Sequence, residues 1–179
     1  DGRKIAYVRS EGGQWTYYAP WQLAVVDLAT GKESQPALPD QFTIKPHWLP
    51  DSRHLVALVE SPQAMTAVKV DSVSGKTDAL TEGGRFDYGI AVNVLGDVVL
   101  NSSTPGSPFE LQRLTGKNRL TALTDHNAWL RTRTLAPAES IAFRSADGTR
   151  IEGLLIKPVG YVSGRRYPTI VRLHGGPVY

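Results

Sequence analysis

His174-Gly175-Gly176-Pro177 carries the residue types and spacing in this chain that could act on an acyl group. Two adjacent glycines bring the backbone close to a ligand and turn its N–H groups outward, because no Cβ stands in the way. Pro177 has no N–H, so an anion held here is held by the amides of Gly175, Gly176 or Val178. Donors of this kind stabilise the charge that develops when a nucleophile adds to a carbonyl, and the turn would supply half of an oxyanion hole. Taken alone, the same four residues also suit an ordinary turn.

The elements before the turn decide how it would be held. Thr169 to Leu173 is a short run rich in β-branched residues, bounded by Pro168 and the two glycines, and is expected to form a buried strand. Ser140 to Arg144 alternates, with Ile141 and Phe143 on one face. Asp147-Gly148 signals a hairpin, Arg150 to Ile156 supplies its second strand, and a polar loop through Gly160 and Gly164 leads on. Hairpin, loop, strand and Gly-Gly-Pro is the order in which an α/β-hydrolase sheet begins.

Residues 140–177 resemble the entry into the catalytic domain of the prolyl oligopeptidase family of serine peptidases. The likeness is closest to the acylaminoacyl-peptidase and dipeptidyl-peptidase branches. There "S-x-D-G-x-x-I-x-G-x-L-x-x-P" precedes "Y-P-x-I-x-x-x-H-G-G-P", matched here from Ser145 to Pro158 and from Tyr167 to Pro177. The resemblance implies that Gly176 gives its N–H to the oxyanion, while His174, Gly175 and Pro177 shape the turn. It also implies a serine nucleophile, a histidine that shuttles the proton and an aspartate that orients it. His174 is not that histidine. Short peptides are the implied substrates, admitted past a propeller that covers the active site.

The first 125 or so residues repeat themselves. Asp1-Gly-Arg-Lys-Ile-Ala-Tyr-Val8 aligns with Asp51-Ser-Arg-His-Leu-Val-Ala-Leu58, and Leu23 to Lys32 aligns with Ala67 to Lys76. A weaker third copy runs through Gly96 to Leu100 and Phe109 to Lys117, and Ala79-Leu-Thr81 is echoed by Ala122-Leu-Thr124. Short strands between Asp-Gly, Ser-Gly and Thr-Gly turns at this period are expected for β-propeller blades. Pro46-His-Trp-Leu-Pro-Asp-Ser-Arg53 and Leu123-Thr-Asp-His-Asn127 resemble propeller stretches of the same family. The expected fold is mainly β: about three blades of a partial β-propeller over residues 1–136, then the first strands of an α/β-hydrolase sheet over 137–179.

Within the blades, Asp27 and Asp71 are expected to serve the turns leading to Gly31 and Gly75. His47, His54 and His126 read as structural. Trp15, Tyr17, Tyr18 and Trp21 form an aromatic insertion in the first copy, expected to pack between blades rather than line a pocket.

Composition sets the outer bounds. Of 179 residues, 41% are hydrophobic and 21% charged, as in a globular domain, and the net charge of +3 comes from scattered residues rather than a nucleic-acid-binding cluster. No apolar run reaches a membrane span. With no cysteine there is no disulfide or thiol chemistry, and no Asp, Glu or His spacing suits a metal, so no cofactor is expected. The compartment stays open. No serine sits in a G-x-S-x-G elbow, neither Ser107 nor Ser163, and seven blades would need about 300 residues. The chain therefore reads as a piece of an enzyme, with its triad beyond Tyr179 and the strands of 140–179 to be covered by the rest of the hydrolase domain or another chain. A lipase- or esterase-like hydrolase shares the glycine turn but leaves the repeats without an account. A non-catalytic propeller that binds protein or peptide is the alternative of a different class.

Overall fold

One pattern of bonds recurs along the first part of the chain, and the repeated words of the sequence make it. The structure, a computed structural model, describes residues 1–10, 19–36, 38, 42–61 and 63–173. It divides into two compact units, Asp1–His126 and Asn127–Tyr179.

The first unit is built of antiparallel meanders. β1 (Lys4–Arg9), β2 (Gln22–Asp27) and β3 (Glu33–Ser34) form one sheet. β4 (Thr43–Trp48), β5 (His54–Ser61), β6 (Ala64–Asp71) and β7 (Thr77–Ala79) form the next. β8 (Phe86–Val92), β9 (Val98–Thr104), β10 (Ser107–Gly116) and β11 (Arg119–Ala122) follow. The last two meanders are joined into one eight-stranded sheet by a single parallel bridge, Met65 to Phe86. The fold is mainly β, in several sheets.

Asp27 and Asp71 close their turns as the sequence leads one to expect. Asp27 Oδ1 accepts the N–H groups of Ala29 and Thr30, at 3.0 and 2.9 Å. Asp71 Oδ1 accepts those of Val73 and Ser74, at 2.9 and 3.1 Å. In each turn the glycine four residues on bonds back to the aspartate carbonyl, with φ of 69° at Gly31 and 74° at Gly75. That left-handed conformation is strained for any residue with a Cβ.

The Ala-Leu-Thr echo proves to be a second device. Leu80 N–H donates to the Ala67 carbonyl, and Thr81 Oγ1 accepts the Ala67 N–H at 2.8 Å. Leu123 N–H donates to the Leu111 carbonyl, and Thr124 Oγ1 accepts the Leu111 N–H at 2.9 Å. The threonine hydroxyls then donate to acids, Thr81 to Asp87 and Thr124 to Glu110. Asp87 is sealed from solvent and also takes bonds from Ser102 and Arg85. A buried carboxylate needs partners of this kind, because desolvation otherwise disfavours its charge.

Packing follows from strand β5, whose Leu55-Val-Ala-Leu-Val59 run is buried throughout. Such a run suits a strand covered on both faces. Leu55 faces one way and packs with Val70, Leu23 and Val25. Val56 and Leu58 face the other way and pack with Met65, Ala67, Val98 and Leu100. The middle meander is thus the filling between its neighbours. Each fully buried leucine here contributes roughly 1.5–3 kcal/mol.

The described residues of the second unit form a 3-10 turn, Ala128–Thr132, and a two-stranded hairpin of β12 (Ala138–Arg144) and β13 (Arg150–Ile156). The third strand expected at Thr169 to Leu173 is not formed. These residues have no ladder partner, and Ile170, Val171 and Leu173 are exposed by 95%, 79% and 83%. A β-branched run becomes a strand only when a neighbour satisfies its N–H and C=O groups, and the hairpin offers it none.

Candidate functional site

The segment that leads to His174-Gly175-Gly176-Pro177 starts at the end of β13. Lys157 Nζ donates to both carboxylate oxygens of Glu139, at 3.0 and 2.7 Å, which raises the lysine pKa. The same ammonium lies over the Tyr161 ring, 5.3 Å from its centroid. The rings of Tyr161 and Tyr167 are 5.3 Å apart, and Val162 N–H donates to Tyr167 Oη at 3.0 Å. At the other end of the hairpin, Asp147 accepts bonds from Ser145 Oγ and the Thr149 N–H, which lower its carboxyl pKa to about 2. The chain then runs through Pro168 toward the turn. His174, Gly175, Gly176 and Pro177 lie outside the described residues, as do Trp15, Tyr17 and Tyr18.

The remaining residues singled out in the sequence fall in the first unit. Trp21 meets Phe42 edge-on, with ring centroids 6.1 Å apart. His47 is half-buried, and burial followed by the charge of Lys45 lowers its pKa. His54 Nδ1 lies 2.6 Å from Asp51 Oδ2, and its Nε2 faces Asp71 Oδ2 at 3.8 Å. The contact resembles the aspartate–histidine half of a triad, yet a second carboxylate stands where a hydroxyl nucleophile would be needed. The group ties two turns together. Hydrogen bonds from the His54 backbone and side chain lower the Asp51 pKa to about 2, and Arg53 leads the depression at Asp71. His126 is exposed at the end of the first unit. Among the described residues no three metal-ligating side chains come together.

Sequence reasoning missed an aromatic patch. Phe86, Tyr88 and Phe109 have ring centroids 6.1 to 6.2 Å apart, and Lys45 Nζ sits 4.1 Å from the Tyr88 centroid. Lys45, Tyr88 and Phe109 each occupy a break in ladder register, on β4, β8 and β10. Bulges re-aim side chains in this way, and nothing in the alternation of the sequence marks them.

Comparison with known proteins bears on the fold. No family model and no curated protein matches the chain. An acylaminoacyl peptidase, solved in complex with Z-Gly-Gly-Phe-chloromethyl ketone, is similar with a TM-score of 0.76 at 16% identity, covering 94% of this chain and 25% of that one. Dipeptidyl peptidase 4 from Porphyromonas gingivalis gives 0.68 at 17% identity, covering 92% and 24%. TolB from Acinetobacter baumannii gives 0.56 at 18%, covering 69% of this chain and 30% of its own. The two peptidases are of the prolyl oligopeptidase family. The chain spans about a quarter of their length. Since 94% of 179 residues is more than the 126 of the first unit, the likeness to the acylaminoacyl peptidase runs into the second. The fold is that of a propeller-like β fragment related in structure to these peptidases.

Proposed function

We propose that the chain is a piece of a serine peptidase of the prolyl oligopeptidase type. Residues 1–136 belong to its propeller and residues 137–179 to the opening of its hydrolase sheet. The extent of the structural likeness carries this reading: it includes the hairpin unit as well as the meanders. In this reading Gly176 N–H is one of the two oxyanion donors, and His174, Gly175 and Pro177 set the turn. The serine, aspartate and histidine lie beyond Tyr179, and short peptides are the substrates. A second reading is a non-catalytic binding propeller, which needs the meanders of the first unit alone.

Labelling by a fluorophosphonate probe separates the two. The complete protein is expected to label at a serine beyond residue 179, and residues 1–179 alone are not. Gly176→Pro in the complete protein removes the donor and should lower kcat by about 10²–10³. KM should change less, because that bond strengthens only as charge develops on the carbonyl oxygen. Gly176→Ala keeps the N–H and reports whether the position needs a positive φ. A complete protein that neither labels nor cleaves peptides leaves the binding propeller. Wild-type turnover in a folded Gly176→Pro variant would remove the oxyanion role.

A further inference from the structure

Lys45, Tyr88 and Phe109 come from three strands, and each interrupts its own ladder. On β4 the pairing passes from Ile44–Leu58 to His47–Val56, on β8 from Asp87–Ser102 to Gly89–Asn101, and on β10 from Ser107–Thr104 to Glu110–Ser102. A bulge leaves its extra residue outside the ladder and turns that side chain to a new direction. Here three bulges turn theirs to one place. Strain is visible at Lys45, whose φ of 53° is left-handed although a proline follows it. Backbone of this kind persists only where its surroundings over-determine it, and it gathers at ligand clamps and active sites. Gly89 keeps β8 close to β9 past the bulge, since a Cβ there would stand 3.0 Å from that of Asn101.

With Phe86 the three residues make an aromatic corner that carries one charge. Phe86 stacks on Tyr88 with 16° between the rings, and Phe109 stands at 71° to Phe86. All three rings are open to solvent, by 39% to 53%. Lys45 Nζ lies 4.1 Å from the Tyr88 centroid and donates to the Tyr88 carbonyl at 2.5 Å. An ammonium has three donors, so two remain. Lys69, Lys117 and Lys157 each pair with an acid, whereas no carboxylate among the described residues pairs with Lys45. A ligand carboxylate would complete that pair, and the rings beside it would take an apolar side chain. A peptide's last residue carries both groups on one Cα, which suits a charge and a ring only 4.1 Å apart. We infer that this corner of the first unit binds the C-terminal end of a short peptide, with the terminal carboxylate on Lys45 and an apolar, best aromatic, last side chain against Phe86, Tyr88 and Phe109. The inference needs the meanders alone and stands beside either reading of the complete protein.

The test uses the complete protein, treated with fluorophosphonate so that a reactive serine takes no part, and follows peptide binding by calorimetric titration. Acetyl-Gly-Ser-Phe with a free carboxylate should bind saturably. Its C-terminal amide and acetyl-Gly-Ser-Gly should each bind about five- to tenfold more weakly. Lys45→Met keeps the stem and should bring the acid down to the level of the amide without moving the amide. Phe109→Ser should weaken acid and amide alike, by about tenfold. Tyr88→Ser takes its place if that variant does not fold. Lys32→Met, on the exposed turn after Asp27, should change nothing. Wild-type protein that binds none of the peptides, or binds acid and amide equally, would overturn the inference. So would a folded Lys45→Met variant with wild-type affinity for the acid. A concentration-dependent dimer that Phe109→Ser abolishes and the peptide does not displace would assign the corner to a second copy and overturn it too. Labelling by the fluorophosphonate is scored separately and bears on the peptidase reading alone, so the two can fail independently.

Discussion

Leu58 and Leu154 stand in the middle of β-strands of the same chain, yet the first is sealed and the second is 57% exposed. Leu58 has a meander on each side of its sheet, whereas Leu154 belongs to a hairpin with no third strand. The contrast separates two kinds of information in the sequence. Repeated words build the meanders, because the devices they use, the turn acid with its glycine in the first two and the capping threonine in the last two, act within a copy. The hairpin carries equally apolar residues, but a two-stranded ribbon cannot bury them.

Amide exchange offers the widest test of this contrast. Amides of β5 are expected to exchange at least about 10³-fold more slowly than those of Val171 and Leu173, since the former open only with the whole unit. Equal protection in a demonstrated monomer would erase the distinction. Leu58→Ala should cost about 2–5 kcal/mol in denaturant melts, the usual loss for a sealed leucine, whereas Leu154→Ala should stay within about 0.5 kcal/mol. A smaller effect follows from the capping threonines. Thr81→Val strands the Ala67 N–H and Asp87 in a closed environment and should cost about 1–3 kcal/mol. Thr124→Val should cost less, because water can reach Leu111. Equal losses would show that the two devices are not graded by burial.

The smallest effect is on the acid side. Asp51 and Asp71 have folded pKa values depressed below 3.8, Asp51 to about 2. A depressed carboxylate contributes stability that is whole above its unfolded pKa and is lost as pH falls through the folded one. Melting temperature should therefore hold down to about pH 4 and fall toward pH 2, and Asp71→Asn should flatten that limb. An acid limb unchanged by Asp71→Asn would mean that the Arg53–Asp71 pair does not set it.

The sequence revealed those features whose causes are local. β13 begins and ends where the Asp147-Gly148 hairpin signal and Pro158 place it, and Asp27 and Asp71 make the bonds their spacing to Gly31 and Gly75 requires. The Ala-Leu-Thr echo was visible as a repeat, but its purpose was not: which amide lacks a partner depends on where β6 and β10 pass. The same limit hid Asp87, whose partners come from the β7–β8 connection and from β9. It also misled at Thr169 to Leu173, where composition names a strand and only a neighbour can make one. For His174-Gly175-Gly176-Pro177 the legible part is chemical, two glycines and a proline, and these residues lie outside the described ones.

The lone bridge from Met65 to Phe86 has an evolutionary consequence. The second and third meanders share this one rung, the first and second share no ladder, and the rest of their joining is by side chains and isolated backbone bonds such as Asn118 N–H to the Leu80 carbonyl. A copy can therefore be duplicated, lost or lengthened without breaking a ladder. The extra residues between β1 and β2 are such a lengthening, and the turn at Asp27 keeps the pattern of the turn at Asp71 in the next copy. Lineages built on this plan are free to change the number and reach of their blades while the buried face of each stays under selection.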